Sequence, residues 1–246
     1  MNELSGLFDT YKSIVVFDTE TSGLDFKNDR IIELAAVKLQ KNERGRVFAD
    51  REVDEFIRLP EGRTLDPFVV NLTGITDEML LEKGISYEAA ADIFYELITD
   101  GPTLLVAHNA QFDLMFTRTL LKGKKIENPL KFLDTLTVYK DRRPYPHKLE
   151  NAIVAYGLEG KVQNSHRAID DVNALVEVLM AMDIERPDLE RYINLFGFNA
   201  KYGISGEQIK GVRYAPQAFH DKKTLVEQTL YSFVKNFDET HKRKDD

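Results

Sequence analysis

Residues Ser13 to Thr19 read SIVVFDT, and Glu20 follows directly. Ile14, Val15, Val16 and Phe17 form an unbroken apolar run rich in β-branched residues, the pattern of a strand covered on both faces. Turn residues Ser22 and Gly23 then break it. Working outward, Ile31 to Leu39 (IIELAAVKL) and Arg46 to Leu59 read as two more strands, joined by the polar turn KNERG. Short helices are expected at Pro67 to Leu72 and Thr76 to Leu81, either side of a turn at Gly74. A longer helix is expected to start at Ser86 and run through Ile98. Thr103 to Ala107 (TLLVA) reads as a buried strand, Gln111 to Leu121 as a helix and Lys131 to Asp134 as a brief strand. Lys148 to Ala155 and Ala168 to Met182 have helical spacing. Strands first, then strands mixed with helices, predict an α/β layer domain.

The composition shifts at Glu185-Arg186-Pro187. We therefore expect one domain over residues 8–184 and an extension over residues 185–246. In the extension, Pro187 to Phe196 looks helical. Lys222 to Phe237 carries Leu225, Val226, Thr229, Leu230, Phe233 and Val234 at helical spacing, and the last residues read as a frayed, solvated tail.

The bulk numbers narrow the function classes. The chain has 246 residues, 43% of them apolar, enough for a real core. There is no cysteine, which excludes disulfides and thiolate zinc sites. No stretch approaches the roughly 20 apolar residues of a membrane helix. The opening MNELSGLFDTYKS is acidic without an apolar core, so no signal peptide is expected and the cytoplasm is the expected location. A net charge of −8 argues against tight gripping of long duplex nucleic acid. It leaves room for an enzyme that holds a strand end through metal ions, because the metals bring the positive charge.

Three clusters of polar residues stand out. Asp18 and Glu20 are i and i+2 on a strand, so both point to one face at its C-terminal end. Adjacent carboxylates repel and call for a cation or a shifted pKa. On this pair alone, the plainer reading of two surface acids, solvated or paired with Arg30, carries more weight. Next, His108-Asn109-Ala110-Gln111-Phe112-Asp113 follows the strand TLLVA and opens a helix. Asn109 there reads as a helix cap and Asp113 as an acid in the first turns. Equally, Asp113 reads as a third carboxylate near the strand ends, where α/β sheets place their sites. Last, His166 lies in the polar loop QNSHR, with Asp170 and Asp171 at the start of an apolar helix. His166 and Asp171 can face one site, or His166 can be a solvated loop residue.

Taken together and in order, FDTETSGL (Phe17 to Leu24), AHNAQFD (Ala107 to Asp113) and HRAIDD (His166 to Asp171) resemble the three motifs of the DnaQ-like, or DEDDh, exonuclease family. Members include bacterial polymerase III proofreading subunits and the exonuclease domains of Gram-positive replicative polymerases. The phrase LTGITDEML from Leu72 is also similar to the family, and the resemblance spans roughly residues 12 to 182. Thr73 departs from the His many relatives carry before Gly-Ile-Thr, which bears on nucleotide fit and not on chemistry.

The resemblance implies a ribonuclease H-like fold, with a mixed five-stranded sheet and helices on both faces. It implies Asp18, Glu20, Asp113 and Asp171 as the acidic metal ligands and His166 as the general base, Asp171 and not Asp170 having the family's spacing. It implies two Mg²⁺ ions, replaceable by Mn²⁺, bridged by the scissile phosphate. The expected reaction is hydrolysis from the 3′ end of single-stranded DNA, releasing nucleoside 5′-monophosphates. Thr19, Thr21 and Asn109 are expected to contact the substrate. Leu24 reads equally as a wedge against the terminal bases or as a core leucine. Alternatives are an exoribonuclease and a non-catalytic nucleic-acid or polymerase-binding module. The complete set of acids and histidine speaks against the second. A polymerase partner would be a separate chain.

Overall fold

A computed structural model of the chain describes residues 4–162 and 167–217. A single turn of helix, α1 (Ser5–Phe8), precedes the strands β1 (Ser13–Thr21), β2 (Ile31–Lys41) and β3 (Val47–Phe56). Helices α2 (Pro67–Thr73), α3 (Asp77–Lys83) and α4 (Tyr87–Thr99) follow, then β4 (Thr103–Ala107), α5 (Ala110–Leu120) and β5 (Lys131–Asp134). Next come α6 (Thr135–Arg142), α7 (Leu149–Ala155) and α8 (Ala168–Glu185), and after a 3₁₀ turn at Leu189–Tyr192 the short strands β6 (Leu195–Phe198) and β7 (Arg213–Pro216). The main sheet has five strands in the order β3-β2-β1-β4-β5. β1 pairs antiparallel with β2 and parallel with β4, so the sheet is mixed.

β1 sits in the middle of the sheet and is buried on both faces, as its unbroken apolar run requires. Ile14 and Val16 point into one apolar layer, shared with α8 residues Val172, Leu175 and Leu179. Val15 and Phe17 point into the other, shared with Phe94 of α4 and Leu114 of α5. Phe17 and Phe94 meet with ring centroids 5.3 Å apart, and full burial of a phenylalanine contributes about 2–3 kcal/mol. In α8, Ala168, Val172, Leu175, Leu179 and Met182 recur every three or four residues and are all buried. That apolar stripe lays the helix across β1 and β2 and brings its N-terminal end to the C-terminal end of β1.

Local signals set the smaller elements. The hairpin between β2 and β3 closes at Asn42 and Arg46, as KNERG predicts. Asp66 accepts a bond from the Phe68 amide and Pro67 opens α2. That helix stops at Gly74, whose φ of 71° is open to glycine without steric cost. Thr76 and Ser86 cap α3 and α4 through their side chains.

Two expectations are corrected. The helix expected over Pro187 to Phe196 is a 3₁₀ turn followed by β6, in a two-stranded parallel sheet with β7. Asn109 does not cap α5 with its side chain. It adopts a left-handed conformation (φ 70°), and its amide and that of Ala110 are held by the Asp134 carboxylate at 3.0 and 3.2 Å. Residues 189–217 pack on the main domain. The Asn194 amide donates to the Phe132 carbonyl at 2.7 Å, Gly197 donates to Thr137, and Gln111 donates to the carbonyls of Ser205 and Glu207. The helix expected over Lys222 to Phe237 lies outside the described residues.

Candidate active site

β1 carries Asp18 and Glu20 past the end of the apolar layer on the face covered by α8. Asp171, one turn into α8, approaches the same point, its amide bonded to the Arg167 carbonyl at 3.1 Å. One carboxylate oxygen each from Asp18, Glu20 and Asp171 lie within 4.8 Å of one another. All three residues are half-buried. Asp170, next in the chain, is not part of this cluster.

Three carboxylates so close repel, and partial burial strips the water that would screen them. Burial, then the charges of Asp113, Glu20, Asp171 and Glu33, push the Asp18 carboxyl well above the ordinary carboxylate range. Burial, then Asp171, Glu33 and Asp113, push Glu20 up to about 8. Without a cation, these shifts favour the protonated forms of Asp18 and Glu20 at neutral pH. A hard divalent cation suits these donors, since each is an oxygen and their summed charge is what such an ion neutralises.

Asp113 reaches the site from the opposite face. α5 packs with Val15 and Phe17, on the side to which Thr19 also points. Asp113 is 3% exposed, and its Oδ1 accepts bonds from the Thr19 amide at 3.1 Å and the Thr19 hydroxyl at 2.8 Å. Burial drives its carboxyl up to about 7, against the opposing pull of the Thr19 bonds. The sequence-predicted acids therefore arrange as three plus one: Asp18, Glu20 and Asp171 together, and Asp113 behind them, clamped by the strand that carries the first two. His166 lies outside the described residues.

The expected substrate contacts divide differently. The Thr19 hydroxyl is spent on Asp113, and the Thr21 hydroxyl donates to the Gly23 carbonyl at 2.6 Å. Leu24 is 85% exposed, which overturns its reading as a core leucine. Thr73 is buried and closes its own turn, donating to the Val69 carbonyl and accepting from the Ile75 amide. Asn109 lines a cleft of about 510 Å³ that starts at Asp171 and runs past His108, Tyr145, His147 and Lys148. Of the aromatic residues near the third motif, Tyr139 is buried and donates to the Asn151 carbonyl, Tyr156 donates to Glu185, and only Tyr145 projects into this cleft.

Several supporting residues were not singled out from the sequence. Asp134 is buried and accepts five bonds, from the amides of Asn109, Ala110, Leu136 and Thr137 and the Thr137 hydroxyl. It thus fixes the starts of both α5 and α6. His108 bridges the Thr135 hydroxyl and the His147 carbonyl, each at 3.0 Å, and so ties the cleft wall to the end of β4. Glu33, wholly buried in β2, pairs with Arg167. In each case the available signal was a polar residue inside or ending an otherwise apolar strand.

Known proteins resemble this chain in sequence and in fold. The family described as RNase_T, Exonuclease, matches residues 15–179. The chain is 36% identical over 168 residues to the PolC-type DNA polymerase III of Clostridium perfringens, which covers 67% of this chain and 11% of that protein. It is 37% identical over 180 residues to the Bacillus subtilis PolC-type enzyme, covering 70% of this chain and again 11% of the relative. The chain thus spans about a ninth of the length of these relatives. With the DNA polymerase III subunit epsilon of Treponema pallidum it shares 34% identity over 176 residues, covering 69% of this chain and 76% of that protein. Among solved structures, the zinc-bound complex of Escherichia coli exonuclease I with single-stranded DNA superposes with a TM-score of 0.63. That match has 23% identity and covers 74% of this chain and 42% of the other, a likeness of fold.

Proposed function

The chain belongs to the RNase_T exonuclease family, and from that membership we propose that it is a metal-dependent 3′→5′ exonuclease acting on the 3′ end of single-stranded DNA. Its product is a nucleoside 5′-monophosphate. The observation that carries the reading is the convergence of Asp18, Glu20 and Asp171 within 4.8 Å, in surroundings that push the carboxyl groups of Asp18 and Glu20 above the ordinary range. The DNA polymerases among the relatives favour DNA over RNA.

In this reading Asp18, Glu20 and Asp171 hold the divalent ions, two Mg²⁺ by the family pattern with Mn²⁺ able to substitute, and Asp113 supports them from behind. Such ions supply Lewis-acid charge to the phosphoryl group and a water of lowered pKa. The chain does the rest. Thr19 keeps Asp113 in place through two bonds. His166 accepts the proton of the attacking water, a task that an imidazole side chain suits near neutral pH. The cleft from Asp171 to Tyr145 receives the strand, Lys148 facing its phosphates and Tyr145 stacking on a base. Exposed Leu24 wedges against the terminal bases, and Asn109 lies on the wall beside the terminal nucleotide.

Residues 8–184 form the exonuclease domain and 185–246 its extension. The chain works with a separate polymerase chain, the arrangement that the subunit name of the Treponema pallidum relative favours, and in the cytoplasm. Among the described residues no helix is long and apolar enough to cross a membrane.

The test uses 5′-labelled single-stranded DNA and RNA of one sequence, each with Mg²⁺, Mn²⁺ or EDTA, and the Asp18→Asn variant. A ladder shortening from the 3′ end, stopped by EDTA and by the substitution, is the expected result. Faster loss of RNA than DNA would reassign the substrate, and an active Asp18→Asn variant would remove the metal assignment.

A further inference from the structure

Glu33 is a carboxylate with no exposure to solvent, inside the apolar strand β2, and the reading above gives it no task. It lies directly opposite Glu20 in the β1–β2 register and directly opposite Phe56 in the β2–β3 register. Residues paired in this way point to the same face of a sheet. Glu20, Glu33 and Phe56 therefore form a row across three strands, beneath the N-terminal end of α8.

That row takes hold of the start of α8. Oε1 of Glu33 accepts both Nε and Nη2 of Arg167, at 2.9 and 2.8 Å. Oε2 accepts the backbone amide of Ala168 at 3.1 Å. The Arg167 guanidinium carbon lies 4.8 Å from the centroid of the Phe56 ring. Arg167 is the N-cap of α8 and makes no side-chain cap bond of its own, so an amide left open at the helix end is satisfied from a strand 135 residues away in sequence. Arg167 follows His166 in the chain, and Asp171 stands one turn further on.

We infer that Glu33 and Arg167 are a positioning pair for the exonuclease reaction: they lock the first turn of α8 to the sheet and so set the segment Arg167–Asp171 against Asp18 and Glu20. The inference rests on the proposed function of that site. Glu33 is not a ligand in this reading, although it is the carboxylate next to Glu20. Both of its oxygens are spent on α8, and it is absent from the three-oxygen cluster. The pair also has an electrostatic effect, since the Arg167 charge opposes the repulsion that Glu20 feels from its neighbours.

The experiment compares the full chain with Glu33→Gln, Arg167→Met and the double variant, with Asp171→Asn as the inactive reference. The double variant leaves no unpaired buried charge, which protects the test against simple unfolding. Two quantities are read: kcat and KM on 5′-labelled single-stranded DNA with Mn²⁺, and amide hydrogen exchange of the metal-free protein. Misplacing reacting groups by about 1 Å costs on the order of 100-fold in rate, so kcat is expected to fall by about that factor. KM is expected to stay within about threefold, since substrate binding is largely untouched. The double variant loses no more than either single one, because the two residues act as a unit. Exchange speeds up at the amides of residues 168–171 and not in β1 or β2.

Unchanged kcat in Glu33→Gln beside an inactive Asp171→Asn would overturn this inference alone. So would exchange that rises evenly across the sheet, the mark of a merely structural ion pair. A parent chain that degrades no strand and binds no Mn²⁺ would overturn the exonuclease reading, and this inference with it.

Discussion

Replacing Asp18 by Asn is expected to make the metal-free protein more stable at pH 8 while ending turnover. Oxygens of Asp18, Glu20 and Asp171 lie within 4.8 Å of one another. At that separation and an effective dielectric near 20, two like charges repel by about 3.5 kcal/mol. The carboxyls escape part of this by keeping protons, Glu20 up to about 8. Roughly half the pair repulsion, about 2 kcal/mol, is then a fair gain for the Asn variant. In a domain of this size that corresponds to a melting point about 4–8 °C higher.

The effect has a definite pH window. Folding raises the carboxyl pKa values of Asp18, Glu20 and Asp113. Between the ordinary carboxylate range and the raised values, the folded chain binds more protons than the unfolded one, so stability falls as pH rises. For Glu20 the decline runs from about 4.5 to about 8. The advantage of Asp18→Asn should therefore be small at pH 5 and much larger at pH 8. Thermal unfolding in EDTA at the two pH values, followed by addition of Mn²⁺, measures it. At about a hundred times its dissociation constant a bound ion stabilises by about 2.7 kcal/mol, so Mn²⁺ should raise the parent's melting point at pH 8 and leave the variant's nearly unchanged. A variant that melts at or below the parent at pH 8 in EDTA would refute the repulsion argument. A parent indifferent to Mn²⁺ would refute the metal assignment behind it.

Asp171→Asn is expected to abolish hydrolysis and Asp170→Asn to leave it nearly intact, since only Asp171 belongs to the oxygen cluster; parallel rate assays on one oligonucleotide decide between them. His166→Ala should slow the chemical step and flatten the acid limb of the pH–rate profile, because protonation of an imidazole base no longer limits it; an unaltered acid limb would exclude His166 as the base. Asp134→Ala strands five donors that its carboxylate now satisfies, for a loss of about 3–5 kcal/mol in urea unfolding, and a loss below 1 kcal/mol, the level of a surface substitution, would show that water replaces it. Leu24→Ala should raise KM with kcat and melting point unchanged, the side chain being 85% exposed; a lower melting point would mean that it packs after all.

How much of this was legible in the chain depends on the range of the forces involved. β1 was readable because burial on both faces demands an uninterrupted apolar run, and the pairing of Asp18 with Glu20 follows from the two-residue period of any strand. α8 was readable because its stripe recurs over 18 residues. By contrast α6, TLTVYKDR, has no apolar stripe. It buries Thr135 and Thr137 beside Val138 and Tyr139, and its start is held by the Asp134 carboxylate. A capping signal, Asp134 before Thr-Leu-Thr, was present without the periodicity that would have drawn attention to it. β6 and β7 are four residues each, one with a glycine and the other ending in a proline, too short for either period to show. Asn109 has the right type for a cap, yet the same side chain tolerates the left-handed region. Its position was decided by Asp134, 25 residues on, which no local rule reaches.

The site shows the same division. The three motifs name the acids, but their spacing does not say on which face of the sheet each connecting helix packs. That choice separates Asp113 from the others. Because β1 is covered on both sides, alternate residues at its end serve opposite layers: Asp18 and Glu20 face α8, while Thr19 between them faces α5 and clamps Asp113. A strand exposed on one face would have offered no place for the second helix. The same double burial sharpens the electrostatic problem, since it removes water from both sides of a cluster of acids. Glu33 adds a further carboxylate beside Glu20; burial pushes its pKa up, and Arg167 and the open amide of Ala168, which come with the helix that brings Asp171, oppose that rise. Packing α8 against β1 and β2 thus delivers the third carboxylate of the cluster and the countercharge for the neighbouring acid in one step. On this argument the site cannot be assembled with α8 displaced, and its metal affinity and the docking of that helix should rise and fall together.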